Sequence, residues 1–218
     1  MNPPFFIRKI IFWILFLSSA VMASAQPTNL PIKQIAPGVF QLGLVRLNVE
    51  ERAIRFPAFL NMTNGLVEYL IVTGTGKLHE SVLRTEVEPS QIHLALLFIG
   101  AQVATNSGST NITGDKFKID ISWKTADREQ HSIGEDFIFN SHTKLPMSKD
   151  GWIYNGSKVV DGTFIAQRDG SIVSIITDPL ALANNPQPDR DNDEIWFVNT
   201  NSVPRLNSPV EVRFQLEK

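Results

Sequence analysis

The sequence predicts a β-rich α+β fold: antiparallel sheet in a single compact domain, with one principal helix packed on it. Three observations carry that prediction. Period-2 alternation of apolar and polar residues recurs along the chain, most cleanly over residues 117–124 and 210–216. Only one stretch, residues 89–99, repeats apolar residues at helical spacing. No repeat, charge run or long linker divides the chain beyond residue 43.

At the N-terminus, residues 1–25 read as a secretory signal peptide. Arg8 and Lys9 supply the basic start, residues 10–17 (IIFWILFL) the apolar run, and Ala23 and Ala25 the small side chains that signal peptidase needs. The run is shorter than the ~20 apolar residues of a membrane span, so no stable span is expected after cleavage. The protein is therefore expected to be exported, periplasmic or secreted. The alternative is an N-terminal anchor in the inner membrane if the segment, which includes Trp13, is not removed. Residues 26–43, punctuated by Pro27, Pro31 and Pro37, read as an extended lead-in, and residues 44–218 as the single domain.

The first strand is predicted over 44–50, with Val45, Leu47 and Val49 inward. Glu51 and Arg52 turn the chain, and 53–62 returns, with Pro57 marking an edge or a bulge. Residues 66–73, mostly apolar, read as a strand buried on both faces. Gly74-Thr-Gly76 reads as a hairpin turn and 78–85 as the returning strand, continuing a β-meander. Pro89 suits the first helical position, with Glu88 or Ser90 as cap. Ile92, Ala95, Leu96, Ile99 and Val103 share one helical face, widened by Leu97 and Phe98, with Gly100 inside the helix. Residues 105–114 read as a loop. In 117–124, Phe117, Ile119, Ile121 and Trp123 face inward. Short strands are expected at 152–154, 163–167 and 171–177, with Asp169-Gly170 as a tight turn, one helical turn at 178–183 and a polar loop at 184–194. The last strand places Val210, Val212, Phe214 and Leu216 inward.

The composition excludes several classes of function. With 20 Lys+Arg against 22 Asp+Glu, a formal charge of -2, the chain has no bulk charge for nucleic acid, and loss of Arg8 and Lys9 makes it more acidic still. With 43% hydrophobic residues it is not a disordered chain. With no cysteine, it is not stapled by disulfides, lipidated at a cysteine, or ligated to metal through sulfur.

Three stretches resemble the YdjY-like domain, a family of exported bacterial proteins of uncharacterised function: residues 66–83 (LVEYLIVTGTGKLHESVL) with the following helix, 114–123 (GDKFKIDISW), and 151–184, where WIYNGSK leads through GTFIAQRDGSIVSIITDP to LALAN. The resemblance covers roughly residues 45 to 216 and implies one mixed β-rich envelope domain, with no catalytic residues to carry over. Some members carry added cysteines and are described as ferredoxin-like; this chain has none, so an iron–sulfur role is not implied.

Several groups of side chains are candidates for a site. His79, Glu80 and His93 could converge on Zn²⁺ or Cu²⁺ if strand and helix are adjacent, although neighbours in a strand point to opposite faces. The bland reading is a half-buried histidine bonded to backbone and another on the helix's polar edge. Asp189, Asp191 and Asp193 alternate as in a calcium loop, but Glu194 stands where that loop needs Gly, Thr200 where it needs Glu, and Arg190 adds a cation. A solvated acidic loop is the alternative. Trp123, Trp152, Tyr154 and Trp196 could line a carbohydrate or small-molecule cleft, or fill the core. No G-x-S-x-G occurs. Ser141-His-Thr-Lys144 lacks the partners of an S-x-x-K site, and Gly74-Thr-Gly-Lys77 lacks the spacing of a phosphate loop.

The residues identify no cofactor, a divalent metal being the one they could hold. The expectation is an exported, non-catalytic binding or accessory module whose partner is an envelope protein or a small ligand. The alternatives are a metal-binding protein or metal-dependent enzyme using His79 and His93, and a structural or assembly subunit.

Overall fold

A computed structural model describes residues 31–105 and 114–217. The expected signal peptide, and all but the ends of the 105–114 loop, lie outside the described residues. In chain order the elements begin with β1 (Lys33–Ala36), β2 (Val39–Leu42), β3 (Val45–Asn48) and β4 (Ala53–Leu60). Then come β5 (Tyr69–Thr73), a 3-10 turn at Leu78–Glu80, β6 (Ser81–Thr85) and helix α1 (Pro89–Phe98). The long strand β7 (Lys116–Lys124) turns into β8 (Glu129–Ile133), followed by a 3-10 turn at Gly134–Phe137 and the short strands β9 (Ile138–Asn140), β10 (Leu145–Pro146) and β11 (Trp152–Tyr154). A small hairpin, β12 (Val159–Val160) and β13 (Thr163–Phe164), leads into helical turn α2 (Ile165–Asp169) and β14 (Ser171–Ser174). The chain ends through β15 (Ala183–Asn184), β16 (Trp196–Val198) and β17 (Pro209–Leu216).

Eight of these strands close a barrel in the order β4-β17-β7-β11-β15-β14-β5-β6, with β6 pairing back onto β4 through Phe59↔Arg84 and Leu60↔Leu83. Closure removes the exposed edges an open sheet would present. The β1-β2-β3 meander extends from β4 outside the barrel, so residues 33–42 of the expected lead-in form a hairpin. Pro57 falls where β4 leaves β3, at Arg55, and before it joins β6, at Phe59, so its missing N–H lies in a gap of the ladder on that side. Strand β3 is shorter than expected: Val45 and Leu47 are buried, but Val49 turns out to solvent.

The predicted fold class holds, with local corrections. Strands β5 and β6 run parallel, as do β14 and β15, so Gly74-Thr-Gly76 is not a hairpin turn. A parallel crossover usually takes a dozen or more residues. Here β5 is only five residues long, roughly 17 Å to retrace, and residues 74–80 with their 3-10 turn suffice. The path is tight: a Cβ on Gly76 would meet Gly170 O at 3.0 Å, and Gly170 sits at φ +69 with its carbonyl accepting from Thr73 N at 2.9 Å.

Helix α1 buries Ile92, Ala95 and Leu96, with Ile99 at its cap, against β3 and β4. Gly100 is not inside the helix but ends it. At φ +86 it donates to Leu97 O at 3.0 Å while Ala101 N donates to Leu96 O at 3.0 Å, the paired closure of a Schellman turn. Val103 therefore lies beyond the helix and is exposed, and Leu97 and Phe98 face outward with Leu94 rather than widening the buried stripe.

Further along, the strand predicted over 163–167 breaks into β13 and α2. The helical turn expected at 178–183 is instead an Asx turn: Leu180 N donates to Asp178 Oδ1, and Asp178 and Asn184 exchange bonds of 2.8 and 2.7 Å. Strand β17 lies between β4 and β7 over its full length and buries Val210, Val212, Phe214 and Leu216 as alternation predicted. No helix among the described residues is long and apolar enough to cross a membrane.

Candidate functional site at the barrel rim

Alternation along β7 sends Phe117, Ile119 and Ile121 into the core, all fully buried. Trp123 is the next inward position but falls at the barrel's end, where the strand is about to turn into β8. It is half-buried, packed edge-on against Phe137 with ring centroids 5.8 Å apart, and paired across the ladder with Val210 and Gln130. On one side stands the β7–β8 turn, closed by Thr125 N and Oγ1 donating to Arg128 O at 2.9 and 3.1 Å. On the other side is the segment 199–208. Asn199 Nδ2 anchors it to Asp136 O and Ser202 Oγ, both at 2.9 Å, and Leu60 N donates to Ser208 O at 3.0 Å. Between these walls is an open cleft of about 700 Å³, lined among others by Trp123, Lys124, Gln130, Asn201, Val203 and Arg205. Its size falls in the range of small-molecule sites, and barrel mouths are a frequent place for them.

Of the four aromatics proposed for a cleft, only Trp123 reaches one. Trp152, Tyr154 and Trp196 are fully buried in the core. The Tyr154 hydroxyl lies 2.7 Å from His93 Nδ1, and His93 also packs against the Phe164 ring at 5.1 Å. Burial alone pushes the Tyr154 hydroxyl up and the His93 imidazole down, so both are neutral partners in a tilted aromatic contact.

Of the proposed metal ligands, His79 and Glu80 share one turn, while His93 sits on α1 against Tyr154 and Phe164. His79 and Glu80 lie on the 3-10 turn before β6, not in a strand, and the His79 side chain is 80% exposed, with Nε2 at 3.6 Å from Glu80. Glu80 is instead engaged by Lys77 at 2.9 Å, which also reaches Glu68 at 3.1 Å and lies 5.1 Å over the Tyr69 ring. Burial works against the Lys77 charge, but the hydrogen bonds that Lys77 donates to Glu80 and Glu68 outweigh it and raise the amine. Burial also lifts Glu68, and with help from Asp178, which accepts the Tyr69 hydroxyl at 3.1 Å, pushes Tyr69 up to about 12.

In the acidic loop, Pro188–Asp191 forms a 3-10 turn whose carboxylates have different protein partners. Asn140 Nδ2 donates to Asp189 Oδ2 at 2.8 Å, and Thr177 Oγ1 donates to Asp191. Arg190 donates to Asn185 O at 3.0 Å, and Asp193 is exposed. Among the described residues no group of three or more His, Cys, Asp or Glu side chains could hold a metal ion.

Two features escaped the sequence. Glu135, 3% exposed, is pushed up to about 7 by burial, with Asp136 adding to the shift and Lys149 opposing it. On the outer face, Arg46, Arg55 and Arg213 stand directly opposite one another across β3, β4 and β17. Glu51 and Glu211 bridge to Arg55, and Glu51 and Asp120 to Arg213, at 2.9 to 3.8 Å. Alternation puts these charges on outward positions, but only strand register makes them neighbours.

A closed, mostly antiparallel barrel with one packed helix and a polar cleft at its rim is the class of protein these elements define. Within that class, the family model of the YdjY domain matches residues 45–215, and the chain belongs to the YdjY domain family. The match begins at β3 and ends in β17, so it takes in the whole barrel and the cleft. No curated protein and no solved structure matches the chain.

Proposed function

We propose that this YdjY domain is an exported, non-catalytic binding module of the cell envelope, and that its ligand occupies the rim cleft. The observation that carries the reading is Trp123. It is an indole at an inward strand position that the core does not fully cover, facing a cleft whose two walls are held by their own hydrogen bonds. A preformed cavity with a partly exposed aromatic and a few polar groups binds without having to order its walls first. Export is supported by the basic start, apolar run and small residues of 1–25.

Native mass spectrometry of the mature chain, isolated from the envelope without chelator, tests both parts. The expected result is a chain beginning at Gln26 that carries a discrete extra mass, lost in Trp123→Ala while that variant still unfolds cooperatively, at a midpoint lowered by the lost Phe137 contact. A bare chain in the wild type, or a mass retained in Trp123→Ala, overturns the cleft reading.

A second reading, an assembly subunit, is favoured by the outer face of α1. Leu94, Leu97 and Phe98 are exposed there, and the helix carries no Asp, Glu, Lys or Arg.

A further inference from the structure

We propose that the ligand of the rim cleft is an oligosaccharide bearing carboxylate groups; this deepens the reading of the cleft given above and rests on it. The Trp123 indole gives a flat apolar surface suited to the C–H face of a pyranose ring, which a purely ionic site would not need. Around it the amides of Gln130 and Asn201 make no side-chain hydrogen bond among the described residues, so their donors and acceptors are free for hydroxyl groups.

Charge then narrows the class. Lys124, the last residue of β7, and Arg205, from the segment before β17, both line the cleft, and neither has an ion-pair partner among the described residues. This contrasts with the outer face, where Arg55 and Arg213 each engage two carboxylates. Asp127 is the one acidic side chain in the lining, which leaves the cleft net positive on a chain that is net negative. A positive cleft on an acidic protein selects an anion, and the guanidinium of Arg205 suits a carboxylate in two-point contact. Stacking, hydroxyl-reading amides and two unpaired cations fit a sugar acid better than a neutral sugar or a bare anion.

The test uses the mature chain and two probes of equal length, tetragalacturonate and uncharged cellotetraose, titrated by calorimetry at low and moderate salt. Tetragalacturonate is expected to bind more tightly than cellotetraose, and more weakly as salt rises. Trp123→Ala should weaken it by about tenfold or more, as loss of a central aromatic anchor does. The exposed double variant Lys124→Gln/Arg205→Gln, which leaves the core untouched, should also weaken it by about tenfold and remove most of the salt dependence. Equal binding of the two probes, with no effect of the double variant, overturns the acidic class. Binding of free galacturonate as tightly as the tetramer, insensitive to Trp123→Ala, makes the site a simple anion site and overturns the sugar. Failure of both probes to bind overturns the proposal altogether, while an envelope-derived mass lost in Trp123→Ala would leave the cleft reading standing.

Discussion

Glu135 shows how a single residue can set the pH response of the molecule. Its carboxyl is buried at the 3-10 turn between β8 and β9, and burial raises it from 4.5 to about 7. A group raised in the folded state favours the protonated form, so it stabilises the fold relative to its ionised form at low pH. That stability is lost as pH rises from about 4.5 through about 7, and above that the full cost remains. The shift corresponds to a cost on the order of a few kcal/mol. Thermal unfolding should therefore show a midpoint that falls between pH 5 and pH 8, and Glu135→Gln should flatten that fall; an unchanged slope would remove Glu135 as its source. Nothing in the pattern of residues 134–139 distinguishes this carboxyl from that of the partly exposed Asp136, because burial here depends on which strands close over it. Trp123 is the opposite case. Its inward direction follows from alternation alone, and only its place at the end of β7 needed the structure.

Among the elements, α1 illustrates how a correct helix can carry a wrong end. The apolar repeat located the helix and its buried residues Ile92, Ala95 and Leu96. Continuing the stripe to Val103 failed because Gly100 takes φ +86 and closes a Schellman turn after Phe98. A Cβ at Gly100 would meet nothing within 4 Å, so the cost of Gly100→Ala is conformational rather than steric. It should be about 1 kcal/mol, or roughly 2–4 °C in the thermal midpoint of a chain this size. A midpoint that does not move would mean the helix does not need this closure. The β5–β6 pair failed for a related reason. A Gly-Thr-Gly between apolar runs is a fair hairpin signal, but strand direction is decided by where the chain goes next. Lys77, bonded to both Glu68 and Glu80, links the turn before β6 to the residue preceding β5.

Across the molecule, closure of the barrel at β4–β6 determines which surfaces remain open. It places the arginine row of β3, β4 and β17 on the outside, where like charges directly opposite one another are unfavourable and Glu51, Asp120 and Glu211 offset them. It also leaves the outer face of α1 apolar. An exposed apolar face that carries no charge is a candidate interaction surface, so the assembly reading makes a direct prediction. Sedimentation over a roughly hundred-fold range of concentration should show self-association that Leu94→Glu or Leu97→Glu abolishes without loss of fold, since both side chains are exposed. A monomer throughout would exclude association through a second copy.

The β-rich class, the single principal helix, the inward faces of β7 and β17 and the likeness to the YdjY domain were legible in the residues themselves, because each is written in local periodicity or in contiguous motifs. The barrel's closure, the parallel pairs, the burial of Trp152, Tyr154 and Trp196, and the separation of His79 from His93 emerged only from the folded chain. These depend on register and direction between strands far apart in the chain. A period of two says which way a side chain points, and not which strand it will find there.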